Sequence, residues 1–396
     1  MENEICMDED FSEDFFIEDE NIAEEIEVDN TIFLGEVLKN FFPEESEEHY
    51  IKDNHYMVKV PLLEDYFPMP DNNLEWFHNF YFPGGIDDLE YIADAGIRYK
   101  NYYEICIKIS HPSYGGYAKE AWKKCPLKFQ IDSTRIEVGT MSKFLFSLIR
   151  YAASISLIDQ NKEIEYSTIK ILLGEGKDYQ AEVIKVLFYL NTYYFKDTQF
   201  EAKLVKLYLF DNWGDEYDAR DPFDIYPEHL RKIERQEKDF ISVEPLNLYY
   251  NAHIEKGEQK FLSLYRILEF FMQRAILNKI QTIRYDTNIS EDSLYKMLNL
   301  RYEEKQLANL IEDVLDKAHK QKVVDLAIDN KLIKEGYISN ISSSLYNFRN
   351  SLVHAKENEL EKTKFPNPFE VNHLVDKWIS VIEIISLECI RKYNQK

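Results

Sequence analysis

The sequence lacks long apolar runs and has few cysteines, and each shortage argues against a class of protein. No apolar stretch reaches the ~20 residues that a membrane helix needs, and the N-terminus is acidic where a secretory signal would be basic. We therefore expect a cytoplasmic protein with no membrane partner. The four cysteines, Cys6, Cys106, Cys125 and Cys389, are scattered and form no C-x-x-C pair. This spacing indicates neither a zinc site nor a disulfide framework and favours free thiols.

Basic residues are also scarce, with 47 Lys and Arg against 72 Asp and Glu and a net charge of −25. The deficit is uneven. From Glu255 to Lys396 the chain has 22 basic and 21 acidic side chains, so the negative charge lies almost entirely in the first 254 residues. Because affinity for nucleic acid depends largely on cations that meet phosphates, binding of RNA would have to use a local patch.

Residues 1–30 contain fourteen acids and neither Lys nor Arg, with Phe and Ile side chains between the acids. A disordered, solvated tail has this composition. A pseudo-substrate is a second interpretation, in which the acidic segment lies across a cationic RNA groove and autoinhibits the protein. Docking of a partner protein is a third.

With 396 residues, 45% of them hydrophobic, the chain can bury a full core and should hold at least two domains. Residues 31–245 have the mixed pattern of an α+β domain, which we interpret as a sensor or regulatory domain. Gly174-Glu175-Gly176-Lys177 lacks the spacing and the Ser/Thr of a phosphate loop and predicts a turn. The predicted strands are 56–62, 102–110, 127–139, 166–173 and 202–210; the predicted helices are 31–42, 142–157 and 180–194; the predicted loops are 68–73, 83–88 and 211–224.

Residues 250–396 read as sustained helix. The apolar periodicity predicts five helices with short connections, which is typical of an all-α bundle. Pro366 and Pro368 mark the break before the last helix. The predicted helices are 260–279, 303–321, 322–334, 338–355 and 371–393.

The helix predicted at 338–355 carries the chain's one concentration of reactive groups. Arg349, Asn350 and His354 bring together a cation, an amide and a titratable base. The apolar residues recur at helical spacing along one stripe: Ile338, Ile341, Leu345, Phe348 and Leu352. A polar row lies on the opposite face: Ser343, Asn347, Asn350 and His354.

Arg349-Asn350-x-x-x-His354 resembles the R-x4-6-H motif of HEPN domains, in which a polar residue follows the arginine. Upstream, Phe261-Leu-Ser-Leu-Tyr265-Arg-Ile-Leu-Glu269-Phe-Phe is similar to the aromatic-rich first helix of the ApeA-like branch of bacterial antiphage HEPN proteins. The resemblance covers about the last third of the chain. It implies a HEPN-like helical domain that forms a homodimer and acts as a metal-independent endoribonuclease, in abortive-infection defence or as a toxin, with RNA as substrate and no cofactor.

On this interpretation, His354 takes a proton from a ribose 2′-hydroxyl or returns one to the leaving 5′-oxygen, since its ordinary pKa is about 6.5. Arg349 supplies a permanently charged donor fork to the phosphate oxygens. Asn350 lies one helical turn before His354, where its amide can orient the imidazole or a phosphate.

Three further residues are predicted to support this site. The resemblance implies that Glu269 packs near the motif helix and orients Arg349, although a solvated or Arg266-paired carboxylate is the plainer interpretation. Tyr346 can stack a base or belong to the rim of the core. Lys356 stands where some HEPN toxins have a tyrosine that a partner modifies, which puts such control in doubt and adds a cation.

Two other functions compete with the ribonuclease. The helical domain can be a HEPN-like dimerisation or scaffold module without catalysis. A metal nuclease centred on the acidic N-terminal half is the third alternative, and it would be inhibited by EDTA. The presence of Arg349, Asn350 and His354 together favours the first hypothesis.

Overall fold

The structure is a computed structural model, and it describes ten segments of the chain. These are residues 49–52, 55–69, 88–92, 95–110, 126–155, 167–196, 201–205, 235–284, 303–353 and 373–396. The acidic segment 1–30, the helix predicted at 31–42 and the loop predicted at 211–224 lie outside them, as do His354 and Lys356.

Within its described residues, the N-terminal region has two β-sheets and two helices, as the α+β prediction requires. The strands are β1 His49–Lys52, β2 His55–Val60, β3 Asp65–Met69, β4 Leu89–Ile92, β5 Gly96–Tyr99, β6 Tyr102–Ser110, β7 Leu127–Ile131, β8 Thr134–Thr140, β9 Ser167–Leu172, β10 Glu201–Leu204 and β11 Arg235–Glu237. The helices are α1 Lys143–Ile155 and α2 Tyr179–Tyr189, which continues as a π-helical turn over Leu190–Tyr194.

The larger sheet has eight strands in the order β11-β7-β8-β9-β6-β5-β4, with β10 paired to β6. The β11–β7 pair is parallel, and the other pairs are antiparallel. Strand β6 is nine residues long, so that β5 pairs with its first half and β10 with its second half along one edge, opposite β9. The smaller sheet has the order β1-β2-β3.

One strand prediction and one loop prediction were wrong. The strand predicted at 127–139 is a hairpin, in which Asp132 adopts a positive φ of 53° at the turn between β7 and β8. Asp tolerates this conformation better than most residues, and the turn interrupts an otherwise regular alternation. The loop predicted at 68–73 overlaps β3, because Pro68 lies on an edge strand where a missing N–H is tolerated.

Strand alternation divides the larger sheet between two apolar cores. Ile105 and Ile107 of β6 point to the face that packs with α2 and with the C-terminal helices. Tyr102 and Cys106, on the alternate positions, join the core formed with α1 and the smaller sheet. Burial raises the pKa of the Cys106 thiol well above its usual value, so Cys106 is a buried apolar group in this fold.

The C-terminal region is all helical, as predicted. The helices among its described residues are α3 Glu244–Ile254, α4 Gly257–Arg284, α5 Glu303–Val314, α6 Lys317–Asp329, α7 Ile338–Val353 and α8 His373–Tyr393. The break between the helices predicted at 303–321 and 322–334 lies earlier, between Val314 and Lys317, because Asp316 accepts a hydrogen bond from the backbone N–H of His319 and caps the start of α6. None of the helices in the described segments, α4 and α8 included, has a stretch apolar enough to span a bilayer.

The end of α8 is fastened to the N-terminal region by polar contacts around Asp239. Lys185 of α2 and Lys396 approach the Asp239 carboxylate at 2.6 and 2.5 Å. Asn394 accepts a hydrogen bond from the backbone N–H of Ser242 at 2.9 Å. The apolar core continues from the sheet into the helical bundle across this junction. The division predicted at residues 245–250 stays a prediction.

Candidate functional site

Helix α7 has the amphipathic character that the sequence predicts. Ile341 and Leu345 are fully buried and Phe348 is nearly so, while Ile338 and Leu352 are partly buried against the same core. These five residues form the predicted apolar stripe. On the polar face, Asn347 is exposed, and Ser343 and Asn350 are half-buried.

An aromatic stack fixes α7 to its neighbours. The Phe348 ring packs edge-on against Phe261 of α4, with centroids 5.0 Å apart, and stacks on Trp378 of α8 at 6.0 Å. Edge-to-face and offset arrangements at these distances are favourable ring geometries. Because Phe348 precedes Arg349, the backbone that carries the arginine is held against both helices.

Arg349 is paired with Glu269 of α4. The distance from Arg349 Nη2 to Glu269 Oε1 is 2.7 Å, within the range of a short charge-assisted hydrogen bond. The Arg349 side chain is 18% exposed and that of Glu269 is 35% exposed, so the pair lies at the edge of the core, where it borders solvent. The contact that the resemblance implied is therefore present, whereas a role for it in catalysis stays a prediction.

Sequence reasoning missed a second carboxylate at this position. Glu303, the first residue of α5, places its Oε1 atom 4.0 Å from Arg349 Nη2. No local motif distinguishes Glu303 from the adjacent Glu304, since both are acids in the first turn of the helix. The approach arises only when α5 folds back against α4 and α7.

Tyr265 contacts both Arg349 and Glu303. Its ring is 1% exposed, and the Arg349 guanidinium carbon lies 5.5 Å from the ring centroid, a cation–π distance. Its hydroxyl donates a hydrogen bond to Glu303 Oε1 at 3.3 Å. Burial, and then the nearby Glu303 carboxylate, raise the pKa of Tyr265, so the hydroxyl keeps its proton and remains a donor.

Asn350 contacts the arginine as well. Arg349 Nη1 donates to the Asn350 side-chain oxygen at 3.2 Å. The guanidinium therefore uses separate nitrogens for the amide and for the Glu269 carboxylate. Such a forked arrangement fixes the orientation of the guanidinium group, which a simple pairing of charges would not do.

Of the remaining predicted site residues, Tyr346 lies in the described part of the chain. His354 follows Val353, the last described residue of α7, and it lies outside the described residues together with Lys356. Tyr346 is half-buried and packs against the apolar core. This agrees with the second of its two predicted positions, at the rim of the core. Its role as a base-stacking residue stays a prediction.

The glycine-containing segment before α2 is a turn, as predicted. Gly176 has a φ of +69°, which glycine adopts without strain. Lys177, the cation of this segment, lies 2.9 Å from Asp132 and 3.3 Å from Asp239. The segment thus helps to join the sheet to the Asp239 junction.

Taken together, the described cluster sets one guanidinium between two carboxylates, over a buried ring and beside an amide. An arginine held in this way presents its donors in a fixed direction, and it can bind a phosphate or stabilise charge on phosphate oxygens. Comparison of the chain with family models, with curated proteins and with solved structures finds no match. A functional conclusion therefore rests on the residues of this cluster and on the sequence around it.

Proposed function

We propose that this chain is a metal-independent endoribonuclease of the HEPN type. Its N-terminal region regulates the helical region, and its biological role is abortive-infection defence against phage or that of a toxin. The observation that carries the proposal is the 2.7 Å pairing of Arg349 with Glu269, which orients the arginine of the R-x4-6-H sequence on a half-buried helix.

The chemistry uses groups that RNA and the protein already supply. His354 accepts the proton of a ribose 2′-hydroxyl, and the 2′-oxygen then attacks the adjacent phosphorus. The bond from phosphorus to the 5′-oxygen breaks, and the leaving oxygen takes a proton from a second imidazole. The products are a 2′,3′-cyclic phosphate and a 5′-hydroxyl. Arg349 stabilises the charge that builds on the non-bridging oxygens.

This mechanism needs two imidazoles, one as base and one as acid. The helical region has one R-x4-6-H sequence per chain. A homodimer through the C-terminal region supplies both groups, with His354 of the partner subunit acting as the acid. We therefore expect the dimer to be the active form.

Charge restricts how the RNA is bound. The net charge of −25 repels RNA at long range, whereas the part of the chain from Glu255 onward is nearly neutral. Contact with phosphates must therefore come from a few cations such as Arg349 and Lys356. We expect affinity to fall with salt, but with the shallow slope of a small number of phosphate contacts.

A non-catalytic scaffold is the second candidate, and one observation favours it. Arg349 joins three helices, because its partners Glu269 and Glu303 belong to α4 and α5 while it lies on α7. An arginine in this position connects the three helices whether or not it ever meets a phosphate. Only a measurement of RNA cleavage distinguishes the ribonuclease from the scaffold.

The test is RNA cleavage in the presence of EDTA. We expect the wild-type protein to cut a long unstructured RNA with the chelator present, and His354→Ala to lose that activity. Arg349→Ala should reduce it by about 10²-fold or more, while Lys334→Ala, which removes an exposed cation of the same region, should not. Equal activity in all four proteins, or none in any, would favour the scaffold.

The acidic segment 1–30 is tested in the same assay. If it is a pseudo-substrate, the chain without residues 1–30 cuts RNA faster than the full chain and binds it more tightly. Unchanged activity would leave the solvated tail or a partner-docking segment as its role.

A further inference from the structure

Glu303 differs from Glu269 in how it meets the arginine. Glu269 accepts a 2.7 Å hydrogen bond from Arg349, whereas Glu303 Oε1 stands 4.0 Å from the same nitrogen, beyond hydrogen-bonding distance. Glu303 thus places a negative charge near the guanidinium without orienting it through a direct hydrogen bond. With both carboxylates ionised, the three charged groups carry a net charge of −1.

The position of Glu303 is set by Tyr265. The tyrosine hydroxyl donates to the same Glu303 oxygen that faces the arginine, at 3.3 Å. Since Tyr265 is 1% exposed, this donor is fixed in the core of the bundle. The Glu303 side chain, in contrast, is 34% exposed, so part of it borders solvent.

We propose that Glu303 is an electrostatic cap, which opposes the approach of an RNA phosphate to Arg349 and so sets the threshold for RNA binding. The inference rests on the proposed ribonuclease function and concerns the regulation of that site. A phosphate that reaches Arg349 comes within a few ångströms of Glu303, and like charges at such a distance repel appreciably at a half-buried site. RNA binds when the carboxylate is displaced toward solvent or when its charge is neutralised.

The cap predicts opposite effects for the two carboxylates. Removing the charge of Glu303 should strengthen RNA binding, because the repulsion of the phosphate is lost. The 2.7 Å hydrogen bond from Arg349 to Glu269 still orients the guanidinium. Removing the charge of Glu269 should disfavour catalysis, because it weakens the contact that fixes the guanidinium. A purely structural role for both acids predicts no gain of binding in either variant.

The experiment measures binding of a fluorescein-labelled oligoribonucleotide to the full chain in EDTA, with His354→Ala as the background so that the RNA stays intact. We expect Glu303→Gln to bind about fivefold more tightly than its parent, which corresponds to about 1 kcal/mol. Glu304→Gln is the matched control. It removes the same charge from the next position of α5, which points about 100° away around the helix, and its effect should be less than twofold.

Two further variants connect the effect to Arg349. Tyr265→Phe keeps the buried ring but removes the donor that fixes Glu303, and it should tighten binding in the same direction by about twofold. In an Arg349→Ala background the gain from Glu303→Gln should disappear, since a double-mutant cycle detects only interactions that the two residues share. In the cleavage-competent protein, Glu303→Gln should lower KM more than it changes kcat.

Failure of the cap is distinguishable from failure of the ribonuclease. If the parent binds RNA through Arg349 but Glu303→Gln binds equally or more weakly, the cap is refuted and the ribonuclease stands. If Glu304→Gln gives the same gain, the effect is one of total charge and the cap is refuted as well. If neither RNA binding nor cleavage depends on Arg349, both proposals fall together.

Discussion

Replacing Arg349 by Lys separates the geometry of the guanidinium from its charge. In the structure, one guanidinium nitrogen donates to Glu269 at 2.7 Å, a second donates to Asn350 at 3.2 Å, and the planar group lies 5.5 Å from the Tyr265 ring centroid. A lysine ammonium is a point charge on a flexible stem, so it can retain the ion pair with Glu269 but not the forked contact as well.

The two consequences of Arg349→Lys differ in size. The free energy of unfolding should fall by only about 1 kcal/mol, since the hydrogen bond to Asn350 is lost at a half-buried site and the charge is kept. Cleavage should fall by about 10²-fold, or about 2.7 kcal/mol of transition-state stabilisation, because the donors no longer match the phosphate oxygens.

The assay compares kcat/KM for RNA cleavage in EDTA with the free energy of unfolding from urea denaturation of the same samples. A large loss of kcat/KM beside a small loss of stability supports a role for the fork in catalysis. Full activity in Arg349→Lys would refute this reasoning, since any cation would then suffice. A stability loss that matches the activity loss would make the residue architectural.

Three other predictions follow from the same contacts. Glu269→Gln should slow cleavage about tenfold in initial-rate measurements with a stability loss of about 1 kcal/mol, and an unchanged rate would contradict the orienting role. Phe348→Ala should lower the free energy of unfolding by about 3 kcal/mol in urea because it empties a buried site between two rings, whereas Asn347→Ala, at the exposed neighbouring position, should change it by less than about 0.5 kcal/mol. Asp239→Asn should destabilise the protein by about 2–3 kcal/mol at pH 7, because Lys185 would lose one of its two buried carboxylate partners, at 2.6 Å, while its 2.7 Å contact with Glu182 remains. Burial alone would raise the pKa of Asp239, but hydrogen bonds from Lys185 and other donors more than offset it and leave that pKa well below its usual value. The stability that Asp239 confers is therefore complete above pH ~4 and declines as the pH falls below it, so urea titrations of the two proteins should converge in acid; a difference that stays constant down to pH ~2 would contradict this.

The sequence predicts the longest elements of the fold well. Helices α4, α7 and α8 and strand β6 have strong periodicity over many residues, so their positions follow from the apolar pattern alone. Short strands such as β1, β4 and β5 were missed, because four residues carry too little alternation to distinguish a strand from a loop. Their pairing depends on neighbours that are distant in the sequence.

The candidate site, like the fold, could be predicted only in part from the sequence. Arg349 and Asn350 are found from local spacing, because they share one helix with its apolar stripe. The pairing of Arg349 with Glu269 was implied by resemblance, since 80 residues separate the two and no local rule connects them. Glu303 and the hydroxyl of Tyr265 enter the site only through the packing of α5 on α4, and sequence periodicity says nothing about which polar groups such packing brings together.

The most direct test of the ribonuclease proposal is the chemical nature of the cut ends. Purified protein should be incubated with a defined RNA in EDTA, and the fragments analysed by mass spectrometry. The proposed attack by the 2′-oxygen predicts a 2′,3′-cyclic phosphate on one fragment and a 5′-hydroxyl on the other, both absent with His354→Ala. Fragments that end in a 3′-hydroxyl and a 5′-phosphate, or RNA that remains intact with wild-type protein, would contradict it.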